Sequence, residues 1–224
     1  MNPNSNSATV EYSNDPSNPT AGIEESEPSI VDVHTFDFTI YKFYLKDAID
    51  SDSAAALAGA QFELYAENGT TKINLIDLTE GNYRQATSEE ANKEGFTSAV
   101  ITSDDDGKVK ISGLDAGTYK LKEIKAPDGY NKLVGDVTIK IAPTYNTSTQ
   151  KLEKVDVTYT IGDQSKTITI TNKDASPEIP IENKSGSVLP DTGGNGTIMF
   201  TIVGVGILAV MISCSVISRK RRRA

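Results

Sequence analysis

From His34 to Asn172, apolar side chains recur at every second position in short runs rich in Val, Ile, Thr, Tyr and Phe, with Gly, Asp, Asn or Pro between the runs. Successive side chains of a strand point to opposite faces, so this alternation fits sheets with one buried face. No stripe of period 3.6 competes with it, although the acidic segment Thr87 to Gly95 has the composition for one helical turn in a loop. Strands are expected near 34–46, 60–66, 71–76, 97–102, 108–112, 117–125, 134–141, 153–160 and 166–172. Short strands at that density, over about 140 residues, predict an all-β, two-sheet sandwich spanning 34–174. Ser176 to Ser187 contains Pro177, Pro180 and Gly186 with little apolar content, so 175–188 is expected to be an extended stalk.

The end of the chain has a different composition. Residues 197–218 form an apolar run without a charge, at roughly 20 residues long enough for one transmembrane helix. The basic tail at 219–224, Arg219-Lys220-Arg221-Arg222-Arg223 followed by Ala224, is expected to stay cytoplasmic and to hold everything before the run outside. Just before the run stands Leu189-Pro190-Asp191-Thr192-Gly193. Pentapeptide, apolar run and basic tail, in that order, resemble the LPxTG cell-wall sorting signal of Gram-positive surface proteins. The resemblance implies that a membrane-bound sortase cuts between Thr192 and Gly193. It joins Thr192 to an amine of a neighbouring pilin subunit or a peptidoglycan precursor, so that membrane attachment is transient and the mature protein is extracellular.

Five of the 22 basic residues and none of the 31 acidic ones follow Thr192, so cleavage there leaves a part more acidic than the whole chain, whose net charge is −9. Such a surface argues against nucleic acid as a partner. The single cysteine, Cys214, lies inside the apolar run, so an extracellular sandwich has no disulfide available to it. Met1 to Glu27 is rich in Asn, Ser and Pro and lacks a basic stretch followed by an apolar one. No export signal is legible there, and the expectation is a C-terminal part of a longer precursor. Within it, 1–14 reads as the last strand of a preceding domain, or as a tail with chance alternation, and 15–33 as a linker.

Strand parity places three polar residues where a core should continue. The inward series are Phe36, Phe38, Ile40, then Lys42; Tyr119, Leu121, then Glu123; and Ile168, Ile170, then Asn172. A lone buried charge costs several kcal/mol and tends to be shed. Together, a neutral amine is a nucleophile, a carboxamide an electrophile, and a carboxylic acid a proton shuttle. Packing that holds them in contact can offset about 7–11 kcal/mol of barrier. The product would be a Lys42–Asn172 isopeptide bond with loss of ammonia. Singly, each has an ordinary reading: Lys42 at a strand end with its head in solvent, Glu123 in an edge ion pair, Asn172 opening a turn. Lys46 shares the parity of Lys42 and is the competing nucleophile, although Asp47 beside it suggests a turn.

Phe38-Thr39-Ile40-Tyr41-Lys42, Leu57-Ala58-Gly59-Ala60-Gln61-Phe62-Glu63-Leu64-Tyr65, Gly113-Leu114-Asp115-Ala116-Gly117-Thr118-Tyr119, Glu123-Ile124-Lys125-Ala126-Pro127-Asp128-Gly129-Tyr130 and Ile168-Thr169-Ile170-Thr171-Asn172-Lys173 together resemble the CnaB-type (SpaA-type, prealbumin-like) domain of Gram-positive pilins and adhesins. That resemblance implies an immunoglobulin-like, prealbumin-like sandwich. It also implies a lysine–asparagine isopeptide bond between first and last strands, with the glutamate at Glu123 assisting. No YPK-type pilin motif is present.

Other chemistry is sparse. Asp104-Asp105-Asp106-Gly107 lacks the spacing of a calcium loop and reads as a β-turn. His34 is the only histidine, which excludes multi-histidine metal sites and His-based triads, and no cofactor is expected. Two functions follow: a structural, sortase-processed pilin subunit without enzymatic turnover, or a wall-anchored adhesin binding a host surface protein, with Tyr83 and Phe96 around 80–96 as the place to look.

Overall fold

The computed structural model describes residues 4–15, 17–18, 22–47, 50–172 and 175–186. The sorting motif at 189–193, the apolar run at 197–218 and the tail at 219–224 lie outside them. No helix among the described residues is long and apolar enough to cross a membrane.

Among the described residues before His34, four strands form a two-part ribbon. β1 (Asn4–Ala8) and β2 (Glu11–Ser13) pair antiparallel with β4 (Ser29–Val33) and β3 (Ile23–Glu25) respectively. This corrects the expected linker at 15–33, which contains two strands. Ile23, Ile30, Val31 and Val33 supply the β propensity and stay exposed on the ribbon.

The sandwich begins with β5 (Phe36–Leu45), followed by β6 (Ala54–Ala56), β7 (Gln61–Ala66), β8 (Leu75–Asp77) and β9 (Asn82–Gln85). A single helical turn, α1 (Ser88–Ala91), follows, capped by Thr87 and Glu90 in a reciprocal capping box. Then come β10 (Ile101–Thr102), β11 (Lys108–Leu114), β12 (Gly117–Lys125), β13 (Val137–Tyr145), β14 (Leu152–Ile161), β15 (Gln164–Ile170) and β16 (Glu178–Glu182). One sheet has the order β16-β5-β11-β9-β8, with β6 also on β5; the other runs β10-β7-β12-β13-β14-β15.

Two corrections follow. The expected stalk at 175–188 contains β16, which pairs in parallel with β5, Ile181 standing opposite Lys42. Pro177 and Asn183 bond β5 through Thr39 N–H to Pro177 O at 2.8 Å and Asn183 N–H to Phe43 O at 2.9 Å. By alternation Pro180, on this edge strand, turns its missing N–H away from the ladder, which is how proline is tolerated there. The second correction is β9, a short parallel partner of β11 between the strands expected at 71–76 and 97–102, where none was expected.

The inner faces of the two sheets meet in one core that includes Phe38, Ile40, Phe62, Leu64, Leu121 and Ile139, all at most 1% exposed. Burying such side chains contributes about 1.5–3 kcal/mol each. Phe38→Ala should lower unfolding free energy by about 3–5 kcal/mol, the usual range for emptying a buried aromatic site, read from the urea midpoint at unchanged slope.

Candidate functional site

Lys42 continues the inward series of β5 and is 0% exposed. Its backbone is held where β11 and β6 meet: Lys42 N–H donates to Gly107 O at 2.6 Å, and Lys42 O accepts from Leu57 N–H at 2.9 Å. Gly107 has φ +70°, and a Cβ on it would lie 2.2 Å from Lys42 O, so only glycine lets the two segments approach this closely. Asp104 to Gly107 form a turn closed by Gly107 N–H to Asp104 O at 2.9 Å.

Glu123 ends the inward series of β12, immediately before a register shift in the pairing with β7. It is 5% exposed. Lys42 and Glu123 meet, Nζ to Oε1, at 3.5 Å. Lys46 is exposed at the end of β5 and takes no part in this contact.

The third member is not Asn172. β15 is the outermost strand of the other sheet, pairing with β14, and Asn172 follows it in an exposed position. Asn183, directly after β16 and 2% exposed, occupies the place instead. Lys42 Nζ donates to Asn183 Oδ1. Asn183 Nδ2 donates to Glu123 Oε1 at 2.9 Å, and the second carboxylate oxygen, Oε2, accepts from Leu133 N–H at 2.6 Å. Sequence reasoning missed Asn183 because the chain carries the pattern Ile-x-Ile-x-Asn-Lys twice, at 168–173 and at 179–184. Parity is identical in both, and the prolines around the second copy pointed to a stalk. The repeated pattern itself was the available signal.

Burial pulls the Lys42 amine down from its usual value of 10.5 to about 8, against the opposing pull of the Glu123 carboxylate and, more weakly, Glu182. A neutral amine is therefore within reach near physiological pH, in contact with a carboxamide. One carboxylate oxygen faces both nitrogens. That arrangement suits acyl transfer from Asn183 to Lys42.

The second place singled out by sequence is built differently. Tyr83 is 4% exposed, and its hydroxyl accepts from Thr102 N–H at 3.0 Å, so it is a core residue. Among the described residues no group of acidic, histidine or cysteine side chains is placed to hold a metal ion.

Residues 45–158 match the family described as "SpaA: Prealbumin-like fold domain", and residues 181–224 match the LPXTG cell wall anchor motif. No curated protein matches the chain. Among solved structures, GBS52, the minor pilin of Streptococcus agalactiae, is 24% identical over 75% of this chain and 58% of its own, with a TM-score of 0.39. The group B streptococcus pilus 2b backbone protein is 24% identical over 75% of this chain and 50% of its own, TM-score 0.43. BcpA, the major pilin subunit of Bacillus cereus, is 21% identical over 82% of this chain and 39% of its own, TM-score 0.41. The chain thus spans between 39% and 58% of the length of these three.

Gly107→Ala should destabilise the sandwich by at least about 1–2 kcal/mol, because a left-handed backbone and a blocked Cβ are both forced on the new residue. Urea unfolding beside Gly129→Ala, where a Cβ meets nothing within 4 Å despite φ +88°, separates the clash from the conformational cost.

Proposed function

The chain belongs to the SpaA prealbumin-like fold family, and on that premise we propose that it is part of a sortase-processed pilin subunit whose sandwich closes itself with a Lys42–Asn183 isopeptide bond. The observation that carries this reading is a single carboxylate oxygen, Glu123 Oε1, 2.9 Å from Asn183 Nδ2 and 3.5 Å from Lys42 Nζ. The neutral Lys42 amine attacks Asn183 Cγ. A bond forms between Nζ and Cγ, the Cγ–Nδ2 bond breaks, and one proton passes from Nζ to Nδ2 through Oε1. Ammonia leaves, and Glu123 ends in the protonation state in which it began. This happens once per chain, so it is not enzymatic turnover.

The bond would join positions 141 residues apart. Loop-closure entropy alone assigns such a crosslink about 5 kcal/mol. Its mechanical effect is larger. β5 and β16 are the first and last strands of the sandwich and parallel neighbours. Tension entering at one end of the domain and leaving at the other then runs through the covalent link, and the intervening strands carry none of it. The gain is kinetic stability without a disulfide. At the sorting signal, a sortase cysteine would attack the Thr192 carbonyl, release Gly193, and pass Thr192 to the amine of a neighbouring pilin subunit or peptidoglycan precursor. The mature protein is then cell-wall anchored or built into a pilus. Of the two aromatics that pointed to a host-binding surface at 80–96, Tyr83 lies in the core and Phe96 is half-buried, so the pilin reading is preferred.

Intact-mass spectrometry of the wild-type chain and single variants tests the bond. Wild type and Asn172→Ala should each be lighter by one ammonia than their sequences require; Glu123→Ala and Asn183→Ala should not. Ammonia loss in Asn183→Ala, or none in wild type, would sink the reading. The rate in newly synthesised chain should rise about tenfold per pH unit below about 8 and level off above it, since only the neutral amine attacks and Lys42 titrates at about 8. A rate flat from pH 6 to 9 would contradict this.

A further inference from the structure

Residues 126–136, between β12 and β13, are mostly exposed, yet their backbone reaches the buried centre from two directions. Leu133 N–H donates to Glu123 Oε2 at 2.6 Å, while Oε1 faces Lys42 and Asn183. Asn131 N–H donates to Lys184 O at 3.0 Å, and Tyr130 forms an isolated antiparallel bridge with Ser185. The Tyr130 ring packs on Tyr44, with centroids 5.1 Å apart. Tyr44 lies two residues after Lys42, and Lys184 and Ser185 directly follow Asn183. One segment therefore touches Glu123 itself and the chain beside each of its two partners. A turn at Pro127, closed by Tyr130 N–H to Pro127 O at 3.1 Å, starts it on this course.

We infer that this segment is a positioning strap for the crosslinking reaction, with Leu133 N–H fixing the Glu123 carboxylate, the Tyr130 and Asn131 backbone clamping the chain that carries Asn183, and the Tyr130 ring bracing Tyr44 on the strand that carries Lys42. The inference rests on the isopeptide reading above. The terminal torsion of a glutamate is broad and roughly two-fold, so an unheld carboxylate exchanges its oxygens and swings off line. Holding Oε2 from outside leaves Oε1 directed at both nitrogens throughout the proton transfer. The contacts to Lys184 and Ser185 exist only once β16 has docked, so strap closure coincides with arrival of the carboxamide. A cleft lined by Leu133, Val134 and Asn183 lies beside the amide and offers ammonia a way out.

The test measures ammonia loss by intact mass in newly translated full-length chain, at a pH well above 8 where the lysine no longer limits the rate. Leu133→Pro removes the N–H; Leu133→Ala trims the side chain and keeps it. Tyr130→Ala, at a half-exposed position, removes the ring that braces Tyr44 and keeps the backbone bridge to Ser185. Leu133→Pro should react at least tenfold more slowly than wild type, Tyr130→Ala several-fold more slowly, and Leu133→Ala at the wild-type rate. Thermal unfolding of the Tyr130→Ala change in a Glu123→Ala background, where no crosslink forms, should match that background alone; a purely structural contact would lower it and leave the plateau rate alone. Tyr130→Ala reacting at the wild-type rate overturns the strap whether or not Leu133→Pro folds, and so does Leu133→Ala reacting as slowly as Leu133→Pro. A wild-type chain that never loses ammonia identifies failure of the isopeptide reading instead.

Discussion

An amine, a carboxyl group and a carboxamide share one level of a hydrophobic core, and the architecture around them follows from satisfying all three at once. Each alone would cost several kcal/mol in desolvation. Set together, Lys42 donates to Asn183, Asn183 donates to Glu123, and the remaining Glu123 oxygen takes a backbone N–H. Breaking such a group by removing one partner leaves the others buried and unpaired, which is worse than an apolar core throughout. The backbone is accordingly fixed at each corner. β11 and β6 converge on Lys42 through a glycine that admits no side chain, β12 ends its regular pairing beside Glu123, and β16 carries Asn183 along the edge of β5.

Placing the two ends of the domain side by side has a mechanical sense. In a sandwich joined only by hydrogen bonds, terminal strands under tension slide or peel, and resistance is set by a ladder of bonds each worth about 1 kcal/mol net. A covalent link between the same strands changes the class of interaction that must fail. The chain's only cysteine, Cys214, lies in the apolar run outside the described residues, so a disulfide within the sandwich cannot supply such a link. The same core that excludes water also lowers the lysine's proton affinity.

Much of this was legible in the amino-acid order. Alternation identified an all-β sandwich, and parity alone put Lys42 and Glu123 on the inward faces of β5 and β12, because a two-residue period leaves no freedom once a strand is correctly placed. The sorting signal is likewise a linear pattern, and its match to the LPXTG cell wall anchor motif covers residues 181–224. What local pattern could not decide was which of two equivalent Ile-x-Ile-x-Asn-Lys segments reaches β5. Both satisfy the same face rule. The choice depends on which sheet each strand joins: β15 folds back on β14 at the far edge of one sheet, while β16 crosses to the other and pairs with β5 in parallel. Pairing of strands from opposite ends of the domain, Ile181 opposite Lys42, is a property of the assembled sheets, where backbone ladders and side-chain volume are settled together. The Leu133 contact was hidden for a related reason, since a main-chain N–H carries no side-chain signature and acquires its role only when the loop closes over the glutamate. Sequence therefore determined that Lys42 and Glu123 face inward, and tertiary structure decided which carboxamide meets them.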